Sequence, residues 1–163
     1  MDIAPSIRQT KPTEFAKLKE IIDLSFPRFF RFFASHSLDS EEGKVLVCES
    51  QGVVMGFAKL IEFNIDNSKY GCILWLAVHS EYRRKGIASD LAKACTENLK
   101  QEGAEAVFVS VQRRNKASLA TFGKDGFRRM GFLGLWRLFS FRVYSFYRDI
   151  WYALGEIVLM YGS

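Results

Sequence analysis

Histidine and cysteine are scarce in this chain. Its 163 residues hold two histidines, His36 and His79, and three cysteines, Cys48, Cys72 and Cys95. Two imidazoles cannot build a multi-histidine metal site. No two thiols stand in CxxC spacing, so neither a structural zinc site nor a disulfide framework is expected. No metal is expected, and a reducing, cytoplasmic setting is the default. Proline is also rare, with three residues. No linker, low-complexity tract or internal repeat interrupts the chain, which reads as one domain over 1–163. The N-terminus lacks the charged-then-apolar pattern of a secretory signal. Long uncharged runs are missing too. The stretch from Leu133 to Tyr161 is apolar, but Arg137, Arg142, Arg148, Asp149 and Glu156 interrupt it. No run approaches the roughly 18 residues that a membrane-spanning helix needs, so no transmembrane segment is expected.

What is present fits a globular fold, with 48% apolar and 25% charged residues. Fifteen phenylalanines gather toward the two ends. The net charge of +5 suits an anionic ligand or partner. It does not choose between a nucleotide, a nucleic acid and a membrane. No strand combines the aromatic and basic residues of an RNA-reading surface, so nucleic acid is not expected as a partner.

Hydrophobic spacing orders the elements. Ser6 to Thr10 reads as a strand. Thr13 is the expected N-cap of a helix carrying Phe15, Leu18, Ile21, Ile22 and Phe26, which Pro27 ends. Phe29, Phe30, Phe32 and Phe33 read as a short helix packed into the core. The other reading of these rings is a wall for an apolar acceptor. Lys44 to Glu49, Val53 to Phe63 and Tyr70 to Val78 form an antiparallel meander, with a polar turn from Asn64 to Lys69. Gly86 to Gln101 is a helix, stopped by Gly103, and Ala106 to Val111 is a buried strand; the pair implies a parallel crossover. Lys116 to Lys124 is a second such helix, Phe127 begins a strand, and Ile157 to Met160 is the last strand. Gly134 to Gly155 fits either a strand with a loop or a helix. The class is α/β.

The chemistry gathers in Leu76-Ala77-Val78-His79-Ser80-Glu81-Tyr82-Arg83-Arg84-Lys85-Gly86-Ile87-Ala88-Ser89. A central strand runs into a short basic turn that opens a helix. The first amides of a helix lack internal partners, and the helix dipole adds positive charge there, so the site suits a pyrophosphate. Gly86 admits a ligand close to the backbone, and Ala88 keeps the next turn small. No Gly-Lys-Ser/Thr and no GxGxxG is present, which sets the stretch apart from two common nucleotide loops.

Arg83 to Ala88 resembles the R/Q-x-x-G-x-G/A signature of the GNAT acyltransferases. Asn115, Ser118, Leu119, Phe122, Lys124 and Gly126-Phe127 resemble that family's second pattern at its usual separation. The resemblance implies a mixed, mostly antiparallel sheet of about six or seven strands flanked by about four helices. It implies transfer of an acetyl group from acetyl-CoA to a primary amine of a small molecule, peptide or protein. Leu76, Ala77 and Val78 would pair with the pantetheine arm through their backbones. The basic turn with the amides of Arg84, Lys85, Gly86, Ile87, Ala88 and Ser89 would hold the pyrophosphate. Asn115, with Ser118, would meet the pantetheine, and Phe122 would pack near the sulfur. A homodimer is compatible with the family.

The resemblance breaks at the acid and base. Phe122 stands where a phenol is usual and cannot donate a proton. Cys72 and Ser110 occupy the two places where branches of the family carry a glutamate. The remaining candidates are Cys72 itself, Glu62 late on its strand, and Tyr147, which resembles the acid of the branch that acetylates protein N-termini. Without a base, the rate is expected to track the free amine. The competing reading is a GNAT-fold module that holds CoA and docks RNA or a protein with little turnover.

Overall fold

The computed structural model describes residues 4–162. Contacts divide them into two compact units, 4–60 with Trp75–Cys95, and Ile61–Leu74 with 96–162. Among the described residues seven strands form one sheet in chain order, except that the last strand lies between the fifth and the sixth.

In the first unit β1 (Ser6–Gln9) pairs antiparallel with β2 (Lys44–Ser50), and β2 with the opening of β3 (Val53–Ile65). Helices α1 (Phe15–Ser25) and α2 (Arg28–Asp39) supply Leu18, Ile21, Ile22, Ala34 and Leu38 to a core shared with Val47, Phe57 and Ala77. Thr13 does not cap α1. A single 3-10 turn, Pro12–Glu14, precedes the helix, and Glu14 reaches back to accept the Lys11 N–H at 2.8 Å. Arg8 fixes that carboxylate at 2.6 Å, so proline and the ion pair move the start upstream of the threonine. The phenylalanines of α2 also depart from expectation. Ala34, Ser37 and Leu38 form its buried stripe. Phe29 and Phe32 lie on the other face and are 68% and 70% exposed. Only a stripe of about a third of a helix can face the core, and here smaller residues occupy it.

Between β3 and β4 (Ser68–Val78) the expected long turn shrinks to Asp66 and Asn67, with φ of 51° and 66°. Asp and Asn tolerate the left-handed region that a tight hairpin needs, so Asn64 and Ser68 join the strands despite their polarity.

In the second unit β5 (Val107–Gln112) pairs parallel with β4, Cys72 opposite Phe108, and antiparallel with β7 (Glu156–Tyr161). Strand β6 (Arg128–Met130) closes the other side of β7. Helix α3 (Ile87–Gln101) leads to β5, and α4 (Lys116–Lys124) follows it. The segment left open between strand and helix is helical: α5 (Phe132–Phe139) and α6 (Val143–Asp149). Leu135, Phe139, Val143, Phe146 and Ile150 recur at helical spacing and are all buried. Their rings close on Phe63 and Phe108, with Phe108 and Phe146 4.7 Å apart edge to face. These two helices raise the count among the described residues above the four expected. No helix among them is long and apolar enough to cross a membrane.

Candidate active site

Strand β4 ends on Leu76, Ala77 and Val78, and its end is held close to β3. A Cβ added to Gly56 would stand 2.9 Å from the Ala77 carbonyl oxygen. The His79 N–H donates to the Met55 carbonyl at 2.8 Å. His79 is buried, and its Nδ1 accepts the Glu81 N–H at 3.4 Å, capping a short 3-10 turn. Arg83 then folds back. Its Nε donates to the Val78 carbonyl at 3.0 Å and its Nη2 to Ser25 Oγ at 3.2 Å. Arg83 thus ties the loop to the strand it leaves. Arg84 and Lys85 are exposed, and Lys85 lies 5.5 Å from the centre of the Tyr82 ring.

The turn needs two left-handed residues, Arg84 at φ 62° and Gly86 at φ 82°. A Cβ on Gly86 would meet nothing within 4 Å, so open space lies where a ligand could approach the backbone. The first bond of α3 runs from the Asp90 N–H to the Gly86 carbonyl at 3.0 Å. The amides of Ile87 and Ala88 therefore point out of the helix end. Ile87, Leu91 and Ala92 are buried beneath it and hold that end rigid. An anion fits this cradle: backbone N–H groups, a helix dipole, Arg84 and Lys85 converge on one exposed turn.

In the second unit Asn115 caps α4, its Oδ1 accepting the Ser118 N–H at 3.1 Å. Asn115 itself is exposed. Phe122 is buried, its ring 5.1 Å from that of Phe127.

The same unit holds a cavity of about 360 Å³, lined among others by Arg113, Arg129, Phe132, Tyr147, Tyr152 and Glu156. The Tyr147 and Tyr152 rings lie 4.7 Å apart. Burial, then the neighbouring Tyr152, pushes the Tyr147 phenol above its ordinary range, which keeps its proton in place. Glu156 Oε2 accepts two hydrogen bonds, from Ser110 Oγ at 2.5 Å and from the Ala153 N–H at 3.0 Å. Tyr152 Oη donates to the Glu156 carbonyl at 3.4 Å.

Of the sequence candidates, Tyr147 alone lines this cavity. Glu62 faces Lys69 at 3.3 Å and does not line it. Cys72 is buried, and its thiol is pushed far above its ordinary range, first by burial and then by the charge of Glu156. A thiol so held is protonated at neutral pH and makes a poor base. Glu156 was not among the candidates; in the sequence it only interrupts an apolar stretch. The signal that could have found it is the register of β7 on β5, which sets Gln112 opposite Glu156 and Ser110 opposite Val158. Residues two apart on a strand share a face, so Glu156 reaches Ser110 diagonally.

The model of the acetyltransferase (GNAT) family matches residues 10–127. An N-alpha-acetyltransferase of Sulfurisphaera tokodaii is 29% identical over 135 residues, covering 76% of this chain and 80% of that protein. A second N-alpha-acetyltransferase, from Saccharolobus solfataricus, is 25% identical over 135 residues, covering 77% and 81%. The fold is shared with the PaiA N-acetyltransferase of Thermoplasma acidophilum, solved in complex with coenzyme A. That likeness has a TM-score of 0.68 at 14% identity and covers 99% of this chain and 100% of that one.

Proposed function

This chain is a member of the GNAT family of acetyltransferases, and we propose that it moves the acetyl group of acetyl-CoA to the α-amino group of a peptide or protein N-terminus. The donor and the transfer to an amine follow from the family. The choice of an α-amine rests on relatives of that activity, which align over three quarters of the chain.

The observation that carries the enzyme reading is the loop at the start of α3. It is exposed and preorganised, and Arg83 leaves it braced while Arg84 and Lys85 face solvent. On this reading the amides from Arg84 to Ser89 hold the pyrophosphate, and the Leu76–Val78 backbone pairs with the pantetheine arm. Asn115 offers its NH2 to the coenzyme, with Ser118 keeping its orientation. Phe122 acts through packing alone.

Holding the thioester and the amine in contact supplies much of the acceleration. Tyr147 is the proton donor to the departing thiolate, since its phenol stays protonated within the cavity. A fluorescent thiol assay tests the acceptor. Acetyl-CoA should be consumed with peptides bearing a free N-terminus and spared when that terminus is blocked and only a lysine amine remains. Turnover of polyamines or aminoglycosides in place of peptides would remove the proposal about the acceptor and leave the enzyme reading standing.

A further inference from the structure

An amine enters this reaction largely as an ammonium ion, and one proton must leave it before nitrogen can attack. The two places where a carboxylate is usual hold none, and Glu62, the carboxylate among the candidates, does not line the cavity. Cys72 is a buried, protonated thiol, and Ser110 is a hydroxyl. Ser110 nevertheless adjoins a carboxylate. Ser110 Oγ donates to Glu156 Oε2 at 2.5 Å, and the Cys72 thiol feels the Glu156 charge. Among the residues lining the cavity, Glu156 carries the one carboxylate, beside Tyr147 and Tyr152.

We propose that Glu156 is the proton acceptor of acetyl transfer, working through the Ser110 hydroxyl. The inference rests on the acetyltransferase reading and assigns the part of the machinery that this reading leaves vacant. The 2.5 Å bond lies in the range of hydroxyl-to-carboxylate hydrogen bonds, where donor and acceptor are well placed to pass a proton. The Ala153 N–H fixes the same oxygen at 3.0 Å, so the carboxylate is held in one orientation.

The protons balance. Ser110 Oγ takes one from the ammonium while passing its own to Glu156 Oε2. The neutral nitrogen bonds to the carbonyl carbon. As the C–S bond breaks, its electron pair stays on sulfur. Sulfur takes the Tyr147 proton, and the nitrogen's second proton returns to Tyr147. The products are the amide, the thiol and one proton, which Glu156 releases to solvent.

Two variants test this, Glu156→Gln and Ser110→Ala, each compared with wild type for kcat/KM against pH and for acetyl-CoA affinity by calorimetry. Glutamine keeps an oxygen for the Ala153 N–H. Glu156→Gln should lower kcat about 100-fold, the lower end of general-base effects, with coenzyme affinity unchanged. Its rate should rise tenfold per pH unit until the α-amine titrates near pH ~8. Wild type should instead level off at lower pH. Ser110→Ala should lose less rate and shift the profile the same way. Wild-type rates and an unchanged profile in both variants would overturn the proposal. So would a Glu156→Gln protein that loses coenzyme affinity along with rate, because the carboxylate would then support the fold. Failure of the acetyltransferase reading shows separately, as a wild type that transfers to no amine.

Discussion

Replacing Gly56 with alanine should separate the coenzyme strand from the rest of the first unit's stability. The new Cβ would sit 2.9 Å from the Ala77 carbonyl oxygen and 3.3 Å from both Val78 Cα and Leu91 Cδ1. The nearest of these is backbone, which cannot rotate away as a side chain would, so the Ala77–Val78 segment must move by several tenths of an ångström. Overpacking of this kind costs about 1–3 kcal/mol. For a chain of this size that is a fall in Tm of roughly 2–12 °C. The displaced groups are the ones proposed to pair with the pantetheine arm, so acetyl-CoA affinity should fall about tenfold, the effect of one good hydrogen bond. Gly52→Ala is the control. Gly52 has φ 79° and open space around it, so alanine there pays only for the left-handed backbone, about 1–2 kcal/mol, with no route to the coenzyme. Melting curves and titration calorimetry on both variants give the comparison. If Gly56→Ala melts lower yet binds acetyl-CoA as wild type does, the Ala77–Val78 backbone does not hold the coenzyme.

Gly86→Trp should abolish acetyl-CoA binding by calorimetry while the fold persists, because the ring would fill the open approach to the helix end; unchanged affinity would remove the pyrophosphate cradle from the argument. Tyr147→Phe should lower kcat at least tenfold and leave coenzyme affinity intact, as loss of a proton donor does, and unchanged kcat would exclude it. Glu14→Gln tests the start of α1: hydrogen bonding to Arg8, then to the Lys11 backbone, outweighs burial and holds the Glu14 carboxyl at about 2 against an ordinary 4.5. A depressed carboxyl stabilises the fold above the higher value and loses that contribution as pH falls toward the lower. The bound on its effect is about 3 kcal/mol, and screening at a partly exposed pair reduces it to about 1–2. Wild type should therefore lose its advantage over Glu14→Gln between pH 4.5 and 2 in urea titrations; a gap that persists at pH 2 would mean that packing, not charge, sets it.

The parts of the fold that were legible are those where pattern and burial agree. Strands β2 to β5 and helices α3 and α4 stand where their apolar spacing puts them. The misreadings share a cause, namely that a residue type was weighed without its partner. Thr13 is a good cap in isolation, but Arg8 in β1, six residues before Glu14, anchors that carboxylate and makes the earlier start better. Phe29 and Phe32 are apolar, but α2 has one stripe to bury and Ala34, Ser37 and Leu38 fill it. The Gly134–Gly155 segment stayed open because its aromatic and β-branched residues suit a strand as well as a helix. What decides it is the packing: Leu135, Phe139, Val143, Phe146 and Ile150 keep helical spacing and are buried, and the Phe139 and Phe146 rings stack 4.8 Å apart.

The site divides along the same line. The coenzyme loop is a local device, a turn with Gly86 and the helix it opens, so adjacent residues spell it out. The proton path is not local. Ser110 and Glu156 are 46 residues apart and meet because β7 lies antiparallel to β5. Reading each strand alone, one finds a serine in a carboxylate's place and concludes that the base is missing. The pairing of the two strands changes that conclusion, because a sheet can deliver a side chain to a given spot from either of two neighbours. A carboxylate that leaves β5 can return from β7 with the serine as its link. A relay makes Ser110→Ala and Glu156→Gln act as one unit. The double variant should be scarcely slower than Glu156→Gln alone, since the second change removes a step already broken. Two independent losses that multiply would show that the hydroxyl and the carboxylate do separate work.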